Sequence, residues 1–263
     1  CLLRFGLQYD LCIALENFSF LTVYLLKFFG FIHKHIYYTV VFLSSRFRNP
    51  VLNWIYHVVD KFASQHSDAN WVMVKQQIDA KKKYYNFKNA GYAPFTIVPV
   101  GYERKIIVVK PVDKIDFYGI VYAGALVETM GVQLVIEAMP LLIRQFPKIR
   151  FTIIGSGKYG NELKKLADKL HMEKYINFAG FVESFVDLTT MVAKNSLAVA
   201  PYVPITGGNK YSSDPRISDP SKIKLYMCCG LPVITTNVTT VAKSIVKTES
   251  GIVIDYTKED LAK

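Results

Sequence analysis

Two glycine turns and one basic turn are the parts of this chain whose residue types and spacing suit chemistry. Gly124 follows the apolar run 117–123, and Gly155-Ser-Gly157 follows the apolar run 149–154. A glycine just past a strand lets a ligand come close to the backbone, and it serves equally well in a tight turn. The third feature is Ser218-Asp-Pro-Ser-Lys-Ile-Lys224. There Asp219 reads as a helix cap and Pro220 as the first helical residue. Lys210, Arg216, Lys222 and Lys224 surround that start. Free N–H groups at a helix N-terminus and nearby ammonium groups both attract anions, so the turn suits a diphosphate. A capped surface helix with solvated lysines has the same sequence signature.

Other chemistries find little support. The histidines at 33, 35, 57, 66 and 171 have no carboxylate at a telling spacing. There is no Ser-centred elbow, HExxH pair or Walker loop. Cys1, Cys12, Cys228 and Cys229 form no CxxC pair and have no histidine at metal-ligand spacing. The expectation is therefore a reduced, cytoplasmic setting and no metal. Net charge is +11, with 14 Lys and Arg against 6 Asp and Glu in residues 1–110. Such an excess fits nucleic acid, an anionic membrane surface or anionic small substrates. No nucleic-acid module is visible, so nucleic acid is not expected.

Apolar residues make up 51% of the 263, enough for a sizeable core, and the length suggests two units at ~150 residues each. Between Leu11 and Ser45 the uncharged runs reach only about 10 residues, short of the ~20 that span a bilayer. No secretory leader is evident. The chain opens on Cys rather than Met, and Lys258–Lys263 reads as a helix just beginning. The expectation is a piece cut at both ends.

These features need elements to hold them. In the front third, strands are expected at 9–15, 34–43, 70–74 and 95–101. Helices are expected at 17–29, from Asn49-Pro50 onward, and through Lys81-Lys-Lys83. Leu52, Ile55, Tyr56, Val59 and Phe62 share one face of the second helix. Beyond a mixed segment the alternation is cleaner. Strands are expected at 117–123, 149–154, 175–179, 197–200, 233–235 and 251–254. Helices are expected at 132–146, 161–170, 185–194, 220–229 and 241–246, with a long loop at 201–218. That alternation is the spacing of βαβ units, which implies parallel, doubly wound sheets.

In order, Tyr122-Ala-Gly-Ala-Leu126, Gly131–Ala138, Phe151–Gly157, Ile176–Val182 and Pro220–Ile234 resemble the nucleotide-sugar domain of GT-B glycosyltransferases. Within these the chain is most similar to family 4, the glycosyl transferases group 1. The resemblance implies an α/β fold of two Rossmann-like domains. Residues 1–103 would be a partial acceptor-side domain, 104–116 a hinge and 117–263 the nucleotide-sugar domain.

It further implies a retaining transferase that uses a nucleotide-sugar of UDP or GDP type as co-substrate and needs no metal. The acceptor would be a glycan or lipid-linked. Gly124, Gly155 and Gly157 would line the cleft near the phosphates. Phe181 and Val182 would flank the base, and the turn Asp219–Lys222, with Ser221, would face the diphosphate and sugar. The family's GRLxxxKG segment has Arg and Lys where this chain has Ala125 and Met130. Its two glutamates, eight positions apart, fall on Ile217 and Leu225. Catalytic residues are therefore not assigned. A degenerate binding module and a sugar-nucleotide epimerase of the same fold remain the alternatives.

Phe18, Phe20, Leu21, Tyr24, Leu25, Phe28 and Phe29 form an apolar, aromatic region with Lys27 inside it and His33, Lys34 and His35 following. This suits a peripheral contact with the inner face of a membrane, or packing on the acceptor-side sheet.

Overall fold

The computed structural model describes residues 8–87, 91–204 and 216–263, which fall into two compact units. The first holds the described residues up to Val100 together with 216–219. The second holds 101–204 and 220–263.

In the first unit, β1 (Tyr9–Leu15), β2 (Ile32–Thr39), β3 (Ala69–Val72) and β4 (Phe95–Ile97) form a parallel sheet in that order. The helices are α1 (Asn17–Phe28), α2 (Pro50–His66) and α3 (Lys75–Tyr85). As the sequence predicts, Asn49 caps α2, its side chain accepting from the Val51 and Leu52 amides ahead of a first-turn proline.

Strand β2 starts and ends earlier than expected. The Val40 and Val41 amides turn to the Glu16 carboxylate at 3.2 Å, so ladder pairing stops at Thr39. The expected aromatic stripe on α1 divides. Phe20 and Val23 pack into the core with Ala14, Ile32, Tyr37 and Ala63, while Phe18, Leu25, Phe28 and Phe29 stay exposed. Lys27 pairs with Asp68 at 2.6 Å and His35 is buried against the same carboxylate, while His33 and Lys34 of the expected basic flank stay exposed.

The second unit contains β5 (Asp116–Ala123), β6 (Arg150–Ile154), β7 (Ile176–Gly180), β8 (Asn195–Ala200), β9 (Val233–Thr236) and β10 (Gly251–Ile254). All pairings are parallel, in the order β10-β9-β8-β5-β6-β7. The helices are α4 (Val132–Gln145), α5 (Gly160–Lys169), α6 (Phe185–Val192), α7 (Ser221–Cys228), α8 (Ala242–Lys247) and α9 (Lys258–Leu261).

Side chains alternate across a strand, and β5 shows what this does when helices cover both faces. Ile120 and Tyr122 enter one core with α4, and Val121 and Ala123 enter the other with Ile223 and Tyr226 of α7. Tyr102, Ile107 and Val108, at and just before the expected hinge, pack on that second core.

Candidate functional site

The strand order of the second sheet reverses between β5 and β8, and in open parallel sheets ligands sit at the carboxyl ends beside such a reversal. The loops leaving β5, β6 and β7 are tied together there. The Gly124 amide donates to the Ile154 carbonyl at 2.9 Å, Leu126 to Ser156 at 3.0 Å, and Gly155 to Gly180 at 2.7 Å. Gly155 has φ +138°, and a Cβ there would lie 2.0 Å from the Gly124 carbonyl oxygen. Only glycine allows that approach.

The result is a cavity of about 270 Å³ lined by Gly124, Ala125, Gly155, Ser156, Phe181 and Val182, among others. Four residues predicted from sequence thus share one wall. The Phe181 ring is 73% exposed at the rim, an uncovered flat face. Gly157 lines an adjoining cavity of about 210 Å³ beside Gly160, Asn161 and Lys164. A Cβ on Gly157 would strike the Leu126 carbonyl at 2.2 Å, so this glycine is also required by packing.

Lys222 reaches Gly124 from α7, although it does not line either cavity. Tyr226, one turn further along the helix, accepts from the Ala123 amide at 2.7 Å and donates to the Ala123 carbonyl at 3.0 Å. That clamp holds α7 against the end of β5, and residues four apart share a helix face. Lys222 therefore lies over Gly124, where an added Cβ would meet its Cε at 3.3 Å.

Its ammonium donates to the Tyr122 hydroxyl at 3.1 Å and sits 4.8 Å from the centroids of both the Tyr122 and Tyr202 rings. Thr236 anchors Tyr202 by donating to its carbonyl at 2.6 Å. No carboxylate pairs with Lys222 among the described residues. Burial pulls its ammonium down to about 7, because the surroundings disfavour an uncompensated charge.

The basic turn differs from expectation in one respect. Helix α7 begins at Ser221 with Pro220 at the N-cap and no side-chain cap. Asp219 does not cap it: its carboxylate accepts from the Val100 amide at 3.0 Å and is grouped with the first unit. Ser221 uses its carbonyl to accept from the Tyr102 hydroxyl at 3.0 Å. Lys210 and most of the predicted long loop lie outside the described residues.

Sequence reading missed Tyr122, Tyr202 and Tyr226. No local pattern marks that Tyr122 meets a lysine 100 residues on, that Tyr202 meets the same lysine 20 residues on, or that the Tyr226 hydroxyl binds the Ala123 backbone. Of the four departures from the family pattern, Ala125 lines the cavity, Met130 touches Lys222 and Leu225 is buried in the core. Ile217 falls in the first unit. Among the described residues, no three His, Cys, Asp or Glu gather as a metal site, and no helix is long and apolar enough to cross a membrane.

No curated protein matches the chain. Among solved structures it is similar to sucrose-phosphate synthase from Thermosynechococcus elongatus, with a TM-score of 0.69 and 16% identity. That match covers 99% of this chain and 64% of the other. HepE from Anabaena, solved with UDP and glucose, gives 0.70 and 14%, covering 96% of this chain and 66% of HepE. TarM from S. aureus, solved with UDP, gives 0.61 and 14%, covering 90% and 44%. At these identities the likeness is one of fold, the two-sheet GT-B arrangement of parallel α/β units. The chain spans about two thirds or less of these proteins' lengths. The family model described as "Glycosyl transferases group 1" matches residues 118–263. That stretch takes in the second sheet, the glycine turns and α7, and exceeds half the chain, so the protein belongs to the glycosyl transferases group 1 family.

Proposed function

We propose that the second unit binds a nucleotide-sugar of UDP or GDP type, and that the protein transfers its sugar with retention to a glycan or lipid-linked acceptor. The observation that carries this reading is Lys222, a cation without a carboxylate partner among the described residues, held against Gly124 at the sheet's reversal point. A diphosphate beside Gly124 and Gly155 would supply the missing negative charge, and the preformed ammonium would stabilise it as it leaves with no metal needed. Phe181 offers its open face to the base, with Val182 beside it. Gly157, Ser221 and Asp219 complete the assignment, Gly157 and Ser221 as backbone and Asp219 as the residue that shapes the entry to the turn.

In this reading residues 1–103 carry the acceptor, 104–116 act as a hinge and 117–263 hold the donor. HepE was solved with UDP and glucose, and work on trehalose-6-phosphate synthase, another similar structure, concerned transfer with retention. The reading extends to a peripheral membrane contact through the exposed Phe18, Leu25, Phe28 and Phe29, tested by co-sedimentation with anionic and neutral vesicles.

Calorimetric titration with UDP and GDP tests the donor site, and the anomeric configuration of the product, followed by proton NMR, tests retention. Leu225, buried where the family has a glutamate, favours a second reading: a module that binds nucleotide-sugar without turnover. UDP binding with no transfer to any acceptor would select it. Donor conversion without an acceptor would select an epimerase instead.

A further inference from the structure

We propose that the first unit carries a separate site for an anionic saccharide, in the groove formed by α2, the end of α3 and the segment before α2. It concerns residues 45–85 only and stands whether or not the nucleotide-sugar reading holds. The groove encloses about 520 Å³. Trp54 and Tyr84 line it and are 66% and 45% exposed, so two large aromatic faces stand open on a concave surface. The C–H face of a pyranose ring is apolar and packs on such rings, which releases water from both.

The charge lining the groove has one sign. Arg48 and Lys61 line it, no carboxylate does, and neither cation has an ion-pair partner among the described residues. The nearest candidate in sequence, Asp60, is turned into the core. There Lys81 donates to it at 2.8 Å, and the Tyr37 and Tyr85 hydroxyls donate as well. An arginine fork and an ammonium beside aromatic faces suit a carboxylated or phosphorylated sugar.

The groove is also held in shape before any ligand arrives. The Asn53 side chain accepts from the Arg46 amide at 2.7 Å and the Phe47 amide at 3.3 Å, fixing the segment that carries Arg48. His57 stacks under Tyr84 with ring centroids 4.3 Å apart. Its Nε2 is 3.0 Å from the Ser44 carbonyl, which only accepts, so Nε2 bears a hydrogen. Its Nδ1 is 2.9 Å from the Tyr85 hydroxyl, whose one hydrogen goes to Asp60 at 2.6 Å. Both contacts are attractive only when His57 is doubly protonated. Burial opposes that charge and lowers its pKa. An anion in the groove would supply the counter-charge to that imidazolium.

The test uses the full chain with Trp71→Phe, which leaves Trp54 as its only tryptophan. Its emission is followed during titration with an oligogalacturonide, with a neutral galacto-oligosaccharide of equal length, and with inorganic phosphate. The acidic sugar is expected to give a saturable change, with the neutral sugar binding about tenfold or more weakly, as loss of charge-assisted hydrogen bonds implies. Arg48→Ala with Lys61→Ala is expected to weaken the acidic sugar about tenfold, and Trp54→Ala, read by calorimetry, by a similar factor. UDP affinity should stay unchanged in both variants. Equal response to acidic and neutral sugars, competition by phosphate at the same concentration, no response, or unchanged affinity in the variants would each overturn the proposal.

Discussion

The Nζ of Lys222 lies 2.8 Å from the Sδ of Met130, although the two residues are 92 apart in sequence. Met130 stands where the family pattern places a lysine, so α7 delivers a cation to the position from which the β5 loop lacks one. Lys222→Ala is expected to weaken UDP binding by about 1–3 kcal/mol, the scale of a charge-assisted hydrogen bond. Calorimetry on both proteins measures it, and an unchanged affinity would remove Lys222 from the donor site.

The same side chain carries a pH signature. Its folded pKa of about 7 lies below the ordinary 10.5, so between those values the unfolded chain holds the extra proton. The cost of burying the ammonium is therefore fully present below about 7 and is relieved as pH rises toward 10.5. The melting temperature of Lys222→Met should exceed that of the parent below pH 7, with the gap closing in alkali. UDP affinity should fall above pH 7 in the parent and stay flat in Lys222→Ala. Parallel profiles for parent and variants would contradict this account.

Gly155→Ala should damage the fold as well as the cavity. The new Cβ would meet backbone, the Gly124 carbonyl oxygen, at 2.0 Å and at φ +138°. Gly30 has φ +80° with nothing within 4 Å, so Gly30→Ala carries conformational strain alone. Urea denaturation is expected to show about 3 kcal/mol or more lost for the first and about 1 kcal/mol for the second. Equal losses would mean that the loops after β5 and β6 yield easily.

Lys81 and Asp60 form a fully buried ion pair at 2.8 Å in the first unit. Lys81→Met leaves the carboxylate buried without its cation, a change that costs about 3–5 kcal/mol. Adding Asp60→Asn removes the stranded charge and should recover part of that loss. Urea midpoints of parent, single and double variants test this, and a double variant worse than the single would refute it.

Asp68 supplies an acid-side prediction. Burial alone would raise its pKa, but hydrogen bonds from Lys27, the His35 amide and the His35 ring outweigh burial and hold it at about 2, against an ordinary 3.8. Its contribution is therefore complete above 3.8 and disappears as pH falls toward about 2. The parent should lose its thermal-stability advantage over Asp68→Asn across that window, and a constant difference would show that the carboxylate is not paired in solution.

By itself, the sequence determined the local and periodic features of this protein. Apolar runs separated by helix-length segments called for parallel sheets, because strands buried on both faces carry no polar alternation. Asn49-Pro50 marked the start of α2 because capping needs only neighbouring residues. Gly124 and Gly155 were legible because glycine past a strand is a local signal, and their shared cavity follows from adjacent β5 and β6. Tertiary structure decided which distant groups meet. It turned Asp219 to the Val100 amide instead of the helix start, since an aspartate near a proline caps only if no other donor claims it. It also carried Lys222 to Tyr122, Tyr202 and Met130 through the Tyr226 clamp on Ala123. Burial and charge balance at such a point depend on residues some 20 to 100 positions apart, and only the packing of α7 on the sheet brings them together.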